Sequence, residues 1–250
     1  MNNSGASKFY GESLQLLNKI GLPFLVGGTV AVNSYIEDLN RPTKDMDVFC
    51  KAVDYPRILQ EFKAKGYVTE VEDERWLAKV SKNKYYVDII FSLANMMAPV
   101  PENWFKVSSV GKLFDQKVKL LPVTELIWSK MFIQDRNKYE GSDVAHLILL
   151  KYKEIEWKRL LDYMDQYWEV LLIQILNFRF IYPSERELIP RWLLDELLQR
   201  LKIQLETPTS KVKICRGKIF SAHDYAIDVE KWGFTDVIGK GSHELVSQKK

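Results

Sequence analysis

Two carboxylates separated by one apolar residue open the chemistry of this chain: Asp45 and Asp47, in the run Lys44–Asp45–Met46–Asp47–Val48–Phe49. The run alternates polar and apolar, the pattern of a half-buried strand. Residues two apart on a strand share a face, so Asp45 and Asp47 project side by side while Met46 and Val48 turn into a core. Two adjacent carboxylates repel unless a positive charge lies between them. The simplest such charge is a divalent cation, and Mg²⁺ is commonly held by one or two carboxylates together with substrate phosphates. Gly27 and Gly28 supply a complementary feature. Glycine lets a backbone approach a ligand closely and adopt positive φ, and the N–H groups at a helix start form an anion site. The two features together describe a phosphate cradle beside a metal site.

A third acid lies further on. Residues 84–91, KYYVDIIF, form a strongly β-prone run with Asp88 in its middle. An acid inside an apolar strand is costly to bury unless it is paired or bound to a metal. Each feature has a plainer reading. Asp45 and Asp47 could be a solvated strand end, the glycines a tight turn, and Asp88 an edge acid facing water or a partner of a Lys or Arg. Glycine turn, D-x-D and lone strand acid in this order are far more specific than any one of them.

The elements that must position these groups emerge from the flanking sequence. Phe24–Leu25–Val26 is a short apolar run after Pro23 and reads as a buried strand. Thr29 to Leu39 reads as a helix beginning at the glycines. Upstream, residues 1–6 read as a loose tail, and Ser7 to about Ile20 as a helix stopped by Gly21. Downstream, Asp54 to Lys65 reads as a helix ended by Gly66. Residues 67–71, 76–81 and the Asp88 run read as a meander with a turn at Asn83. Between 92 and 121, Pro99 and Pro101 mark a loop and 117–121 a last short strand.

This arrangement resembles the nucleotidyltransferase superfamily typified by DNA polymerase β: strand, paired glycines, helix, D-x-D on the next strand, then a third acid on a later strand. Gly27–Gly28, Asp45, Asp47 and Asp88 fill those positions. Arg41-Pro-Thr43-Lys-Asp45-Met-Asp47 further resembles the R-x-T-x-D-x-D form of small bacterial members, including antibiotic-modifying and toxin–antitoxin proteins. The resemblance implies an α+β fold, a mixed twisted sheet with flanking helices followed by a helical half. It implies Mg²⁺ as cofactor, two ions with Mn²⁺ as a substitute, held by Asp45, Asp47 and Asp88. Asp88 would accept the proton of an acceptor hydroxyl. An NTP, with ATP favoured, would lie on Gly27, Gly28 and Thr29, and the acceptor stays unspecified between small molecules, proteins and RNA ends. The same resemblance leaves open a catalytically silent nucleotide-binding or antitoxin-like protein that works with a partner protein.

Further candidates are less sharply drawn. Arg41 and Thr43 could steady a phosphate or the D-x-D loop, or serve ordinary turn chemistry. Small nucleotidyltransferases often place a Lys and an Arg on the helix after the sheet, here Lys130 and Arg136. Six residues apart, they differ by roughly 120° around a helix, and ion pairs with Glu125, Asp135 or Asp143 are the competing assignment. Trp128, Phe132, Trp157, Tyr163 and Trp168 fit a core better than a base-stacking platform. His146, His223 and His243 receive no role.

Composition narrows the classes. The chain has 250 residues, 46% apolar, with net charge +3. That charge is too mild for a dedicated surface for long nucleic acid. Two cysteines and three histidines show neither zinc spacing nor a disulfide framework, which fits a reducing interior. The N-terminal residues lack the apolar core of a signal peptide, and the apolar run 168–182 is too short and polar to span a bilayer. A cytoplasmic protein without membrane association is expected. The domain reading is a palm-like half over 1–121, a helical half over 122–206 and a C-terminal extension over 207–250. Helices are expected at 124–138, 142–152, 156–168, 169–181 and 190–204, a strand or hairpin within 211–220, and no fixed structure over 239–250.

Overall fold

A computed structural model describes residues 4–92 and 99–237. The chain divides into two compact units, residues 1–126 and 127–250, and the expectation for 239–250 lies outside the described residues.

In the first unit, α1 (Ser4–Ile20) leads into β1 (Phe24–Val26), α2 (Gly28–Tyr35), β2 (Asp45–Cys50) and α3 (Tyr55–Ala64). Then come β3 (Val68–Asp73), β4 (Leu77–Lys82), β5 (Tyr85–Ile90), α4 (Glu102–Val107), β6 (Ser109–Leu113) and β7 (Gln116–Leu120). The strands form one mixed sheet in the order β3-β4-β5-β2-β1-β7-β6. β2 runs parallel to β5 and β1 parallel to β7, and the other neighbours are antiparallel. The architecture is therefore α+β with a mixed sheet and flanking helices.

Strand alternation sorts the two faces. Met46, Val48, Val87, Ile89, Ala78 and Val80 are fully buried on one face, in a core with Phe9, Leu14 and Leu17 of α1 and Ile58 and Phe62 of α3. At about 25 cal/mol per Å² of apolar surface, each of these side chains other than Ala78 contributes roughly 1.5–3 kcal/mol on burial. Asp45, Asp47, Tyr86 and Asp88 occupy the alternate positions and stay partly exposed. One face is thus committed to stability, leaving the other for chemistry.

Several boundaries differ from the sequence expectation. Helix α1 begins at Ser4 rather than Ser7, and Ala6 packs on the core ahead of Phe9 and Tyr10. The helix expected over 29–39 stops at Tyr35 and yields to a 3-10 turn, Glu37–Leu39, with Asn40 left-handed at φ 37°. The Asn33 side chain both donates to and accepts from the backbone of Arg41, drawing the following loop back onto the helix. Helix α4 and strand β6 were absent from the expectation. The β6–β7 turn, Phe114–Asp115, has both residues at positive φ, a geometry normally signalled by Asn-Gly and here carried by residues that give no such signal.

The second unit is mostly helical. The chain crosses the division within α5 (Val123–Met131), followed by α6 (Gly141–Lys151), α7 (Trp157–Tyr163), α8 (Trp168–Ile181) and α9 (Arg191–Glu206). A short parallel pair, β8 (Ile214–Cys215) with β9 (Thr235–Asp236), frames α10 (Ala226–Glu230). The strand or hairpin expected over 211–220 reduces to Ile214–Cys215, because a 3-10 turn begins at Gly217. The helix expected over 124–138 ends at Met131. Beyond it, Asp135 and Lys138 exchange backbone hydrogen bonds, and the Asp135 carboxylate accepts from the N–H of Asn137. Asp and Asn side chains that bond nearby backbone offer a local alternative to helix, and the chain turns there. Among the described residues, no helix is long and apolar enough to cross a membrane.

Candidate metal centre

The site is built by strand pairing. β2 and β5 lie side by side in parallel register, with Asp45 opposite Tyr86 and Asp47 opposite Asp88. Neighbouring strands lie about 4.7–4.9 Å apart, so the pairing brings Asp88 to the D-x-D face. Asp45, Asp47 and Asp88 each offer a carboxylate oxygen, and these three atoms lie within 4.8 Å of one another. All three side chains are partly exposed, which leaves the group open to solvent.

The glycine turn sits against this group. The Gly27 N–H donates to the Asp47 carbonyl at 2.9 Å, tying the end of β1 to β2. A Cβ on Gly27 would lie 2.3 Å from the Phe49 ring, and one on Gly28 would lie 1.8 Å from Asp47 Oδ2. Gly28 also has φ +57°, in the left-handed region. Two independent constraints therefore require glycine at position 28, and one of them is the carboxylate itself. The Gly27 N–H is engaged by the strand, and the N–H groups of Gly28, Thr29 and Val30 precede the Ala31 N–H bond to the Gly27 carbonyl that opens the i−4 ladder of α2.

Thr43 orients the first carboxylate. Its hydroxyl donates to Asp45 Oδ1 at 2.7 Å and lies 3.0 Å from the Asp45 carbonyl. Arg41 is fixed through its backbone by Asn33. Beneath the loop, the Tyr10 hydroxyl donates to the Lys44 carbonyl at 2.9 Å. Burial, then the nearby Asp45, push the Tyr10 phenol up to about 12, so it stays a neutral donor.

Two residues beside the acids, Lys79 and Tyr86, went unnoticed in the sequence. Lys79 lies directly opposite Asp88 across β4 and β5. Its ammonium is 3.0 Å from Glu72 Oε1, 4.0 Å from Asp88 Oδ1, and 4.9 Å from the centre of the Tyr86 ring. Burial alone would lower the Lys79 pKa, but Glu72, Asp88 and the other anionic neighbours outweigh it and raise it. Tyr86 is likewise raised, by burial first and then by Asp45 and Asp88. A signal for Lys79 existed: a two-residue turn at Asn83–Lys84 pairs Lys82 with Tyr85, and three steps further Lys79 with Asp88.

Lys130 and Arg136 stand in other surroundings. Lys130 is 2% exposed, with its ammonium 2.8 Å from Glu140 and 2.9 Å from Asp143. Arg136 lies in the turn after α5 rather than on a helix, so the helical-wheel relation does not apply, and it pairs with Asp224 at 3.3 Å. Asp143 and Asp224 thus supply ion pairs of the competing kind. Trp128 and Phe132 are buried, and Trp128 stacks on Tyr163 at 4.3 Å between ring centres.

The donor set fits a hard divalent cation. It is all oxygen, it carries no sulfur or imidazole, and it converges three carboxylates at one point, the chemistry that suits Mg²⁺ and Mn²⁺ rather than zinc or copper.

The sequence matches no protein-family model and no curated protein. Among solved structures it is similar to the lincosamide antibiotic adenylyltransferase LnuA in its lincomycin-bound form, at 17% identity and TM-score 0.43, covering 59% of this chain and 98% of that one. It is also similar to the antibiotic-resistance factor ANT(2'')-Ia, at 15% identity and TM-score 0.42, covering 75% and 97%. A tRNA nucleotidyltransferase complexed with a primer tRNA and an incoming ATP analog aligns at 14% identity and TM-score 0.30, covering 95% and 87%. These likenesses are distant, and the weight of any functional assignment falls on residues of this chain.

Proposed function

We propose that the protein is a divalent-metal-dependent nucleotidyltransferase that moves an NMP from an NTP, ATP in the first instance, to an acceptor hydroxyl and releases pyrophosphate. The observation that carries this reading is the convergence of Asp45, Asp47 and Asp88 within 4.8 Å beside a glycine turn that opens a helix. Bound metal would supply charge neutralisation for the attacking and leaving oxygens of an in-line displacement.

The chain's own groups divide the remaining work. Asp45 and Asp47 would hold the cation on the donor side, with Thr43 fixing the orientation of Asp45. The N–H groups of Gly28 and Thr29 would receive phosphate oxygens at the start of α2. Asp88, on the neighbouring strand, would share the cation and take the acceptor hydroxyl's proton, a role open to a carboxylate within hydrogen-bond reach. The oxygen of that hydroxyl would bond to the α-phosphorus as the bond to the pyrophosphate oxygen breaks. Arg41 would lie alongside the phosphates, since Asn33 holds its backbone next to the D-x-D loop. Phosphate contacts from Lys130 or Arg136 would first require release from their carboxylate partners. Use of an NTP fits a cytoplasmic activity, and a small molecule or protein is the favoured acceptor.

Calorimetric titration with each NTP in Mg²⁺, on the wild type and on Asp45→Ala/Asp47→Ala, tests the reading. Metal-dependent binding of one NTP, lost in a variant that melts like the wild type, supports it and names the donor for an α-labelled acceptor search. Absence of binding to every NTP overturns it in favour of a partner-protein role or a site completed by another chain.

A further inference from the structure

The face that carries the three acids continues past them. Asp47 on β2, Asp88 on β5, Lys79 on β4 and Glu70 on β3 stand directly opposite one another, one registered row across four strands. Lys79 is the cationic member of that row. Its ammonium sits 4.0 Å from Asp88 Oδ1, just at the limit of an ion pair, while its hydrogen bond to Glu72 is much shorter at 3.0 Å. The Tyr86 ring, 4.9 Å away, supplies a third support.

We infer that Lys79 is an internal counter-ion for the carboxylate group, holding Asp88 while no metal is bound and yielding it to an entering divalent cation by staying on Glu72. Three carboxylates this close repel one another, and a fixed ammonium beside the third relieves that repulsion. The same ammonium repels an entering cation, so it sets metal affinity from outside the ligand set. Glu72 lowers the free-energy cost of the exchange, because Lys79 keeps its shorter hydrogen bond when Asp88 turns to the metal. Lys79 is in this sense a positioning residue acting through Asp88. The inference rests on the metal-site reading above and adds to it a device that tunes occupancy.

Mn²⁺ binding to the full chain, followed by electron paramagnetic resonance of the free ion, tests it on the wild type, Lys79→Met, Glu72→Gln and the double variant. Removing a unit charge this near a divalent site is expected to tighten Mn²⁺ binding roughly tenfold in Lys79→Met. Glu72→Gln is expected to weaken it, because the released ammonium turns to Asp88, and that weakening should vanish on the Lys79→Met background. A merely structural lysine would give weaker or unchanged binding in Lys79→Met, and that result overturns the inference. Lys79→Gln and Lys79→Arg guard against misfolding: the first should behave like Lys79→Met and the second like the wild type. A Glu72→Gln effect that persists without Lys79 also overturns the exchange. Wild-type Mn²⁺ binding that is lost in Asp45→Asn but indifferent to Lys79 removes this inference alone. No wild-type binding removes the metal-site reading as well.

Discussion

Among the described residues, a cluster of acids with a lysine in each unit is built to an opposite end. In the second unit, Lys130 is 2% exposed and is held by Glu140 and Asp143, with Lys138 bonded to the other Glu140 oxygen at 3.1 Å. Two ammoniums meet two carboxylates, and both carboxylates are buried. Burial works to raise the Glu140 carboxyl, but the two lysines outweigh it and hold it below its ordinary value. In the first unit, three carboxylates converge with Lys79 at their margin, and all three are partly exposed. The contrast lies in access rather than in residue type. Acids buried against lysines serve the fold, whereas acids that converge on an exposed face are available to a cation.

The sharpest way to break this comparison is to alter one member of each cluster. Asp45→Asn is expected to lower nucleotidyl transfer roughly a thousandfold or more, by losing several kcal/mol of charge stabilisation, while leaving the melting temperature unchanged or raised through reduced repulsion. A normal turnover number in this variant would sink the assignment. Lys130→Met should do the reverse. It removes the buried cation that Glu140 and Asp143 share and is expected to cost about 3–5 kcal/mol in chemical denaturation, with Mn²⁺ affinity of the folded protein preserved. Equal effects of both variants on both readouts would erase the distinction.

Smaller changes sharpen it. Gly28→Ala combines a positive φ with a Cβ lying on the Asp47 carboxylate, so a loss of about 1–3 kcal/mol in stability should accompany weaker Mn²⁺ binding. Gly21 has positive φ with open space around it, so Gly21→Ala should cost stability without touching metal affinity. Thr43→Val removes the hydrogen bond to Asp45 Oδ1 and is expected to weaken Mn²⁺ about tenfold, with a stability change of only about 1 kcal/mol.

The smallest effect is in pH. Because the folded Glu140 carboxyl lies below its ordinary value of 4.5, its contribution is present above that pH and fades as pH falls through the folded value. Denaturation at pH 5 and pH 3 should show the loss in the wild type and a smaller one in Glu140→Gln. An equal loss in both would assign the acid sensitivity elsewhere.

Part of the site is legible in the sequence because it is local. Alternation along 44–49 puts Asp45 and Asp47 on one face, and the apolar run 84–91 marks Asp88 as an acid in need of a partner. Lys79 was within reach, since the turn at Asn83 fixes its register against Asp88, yet nothing in its own neighbourhood distinguishes it. The ends of α2 and α5 are not legible in the periodicity because side chains of Asn33 and Asp135 bond to backbone and redirect it, a competition between side chain and helix.

Local sequence settles which side chains share a strand face, where glycine is required, and which acids lack an obvious nearby partner. Long-range folding settles who meets whom. Asp47 and Asp88 become neighbours through a parallel pairing of strands separated by a helix and a hairpin, and Lys130 becomes a sealed ion pair because the chain after Met131 turns back to deliver Glu140. Periodicity is a property of the geometry of one segment. Partnership depends on distant pairing, whose cost in chain entropy is met only by the packing of the whole unit.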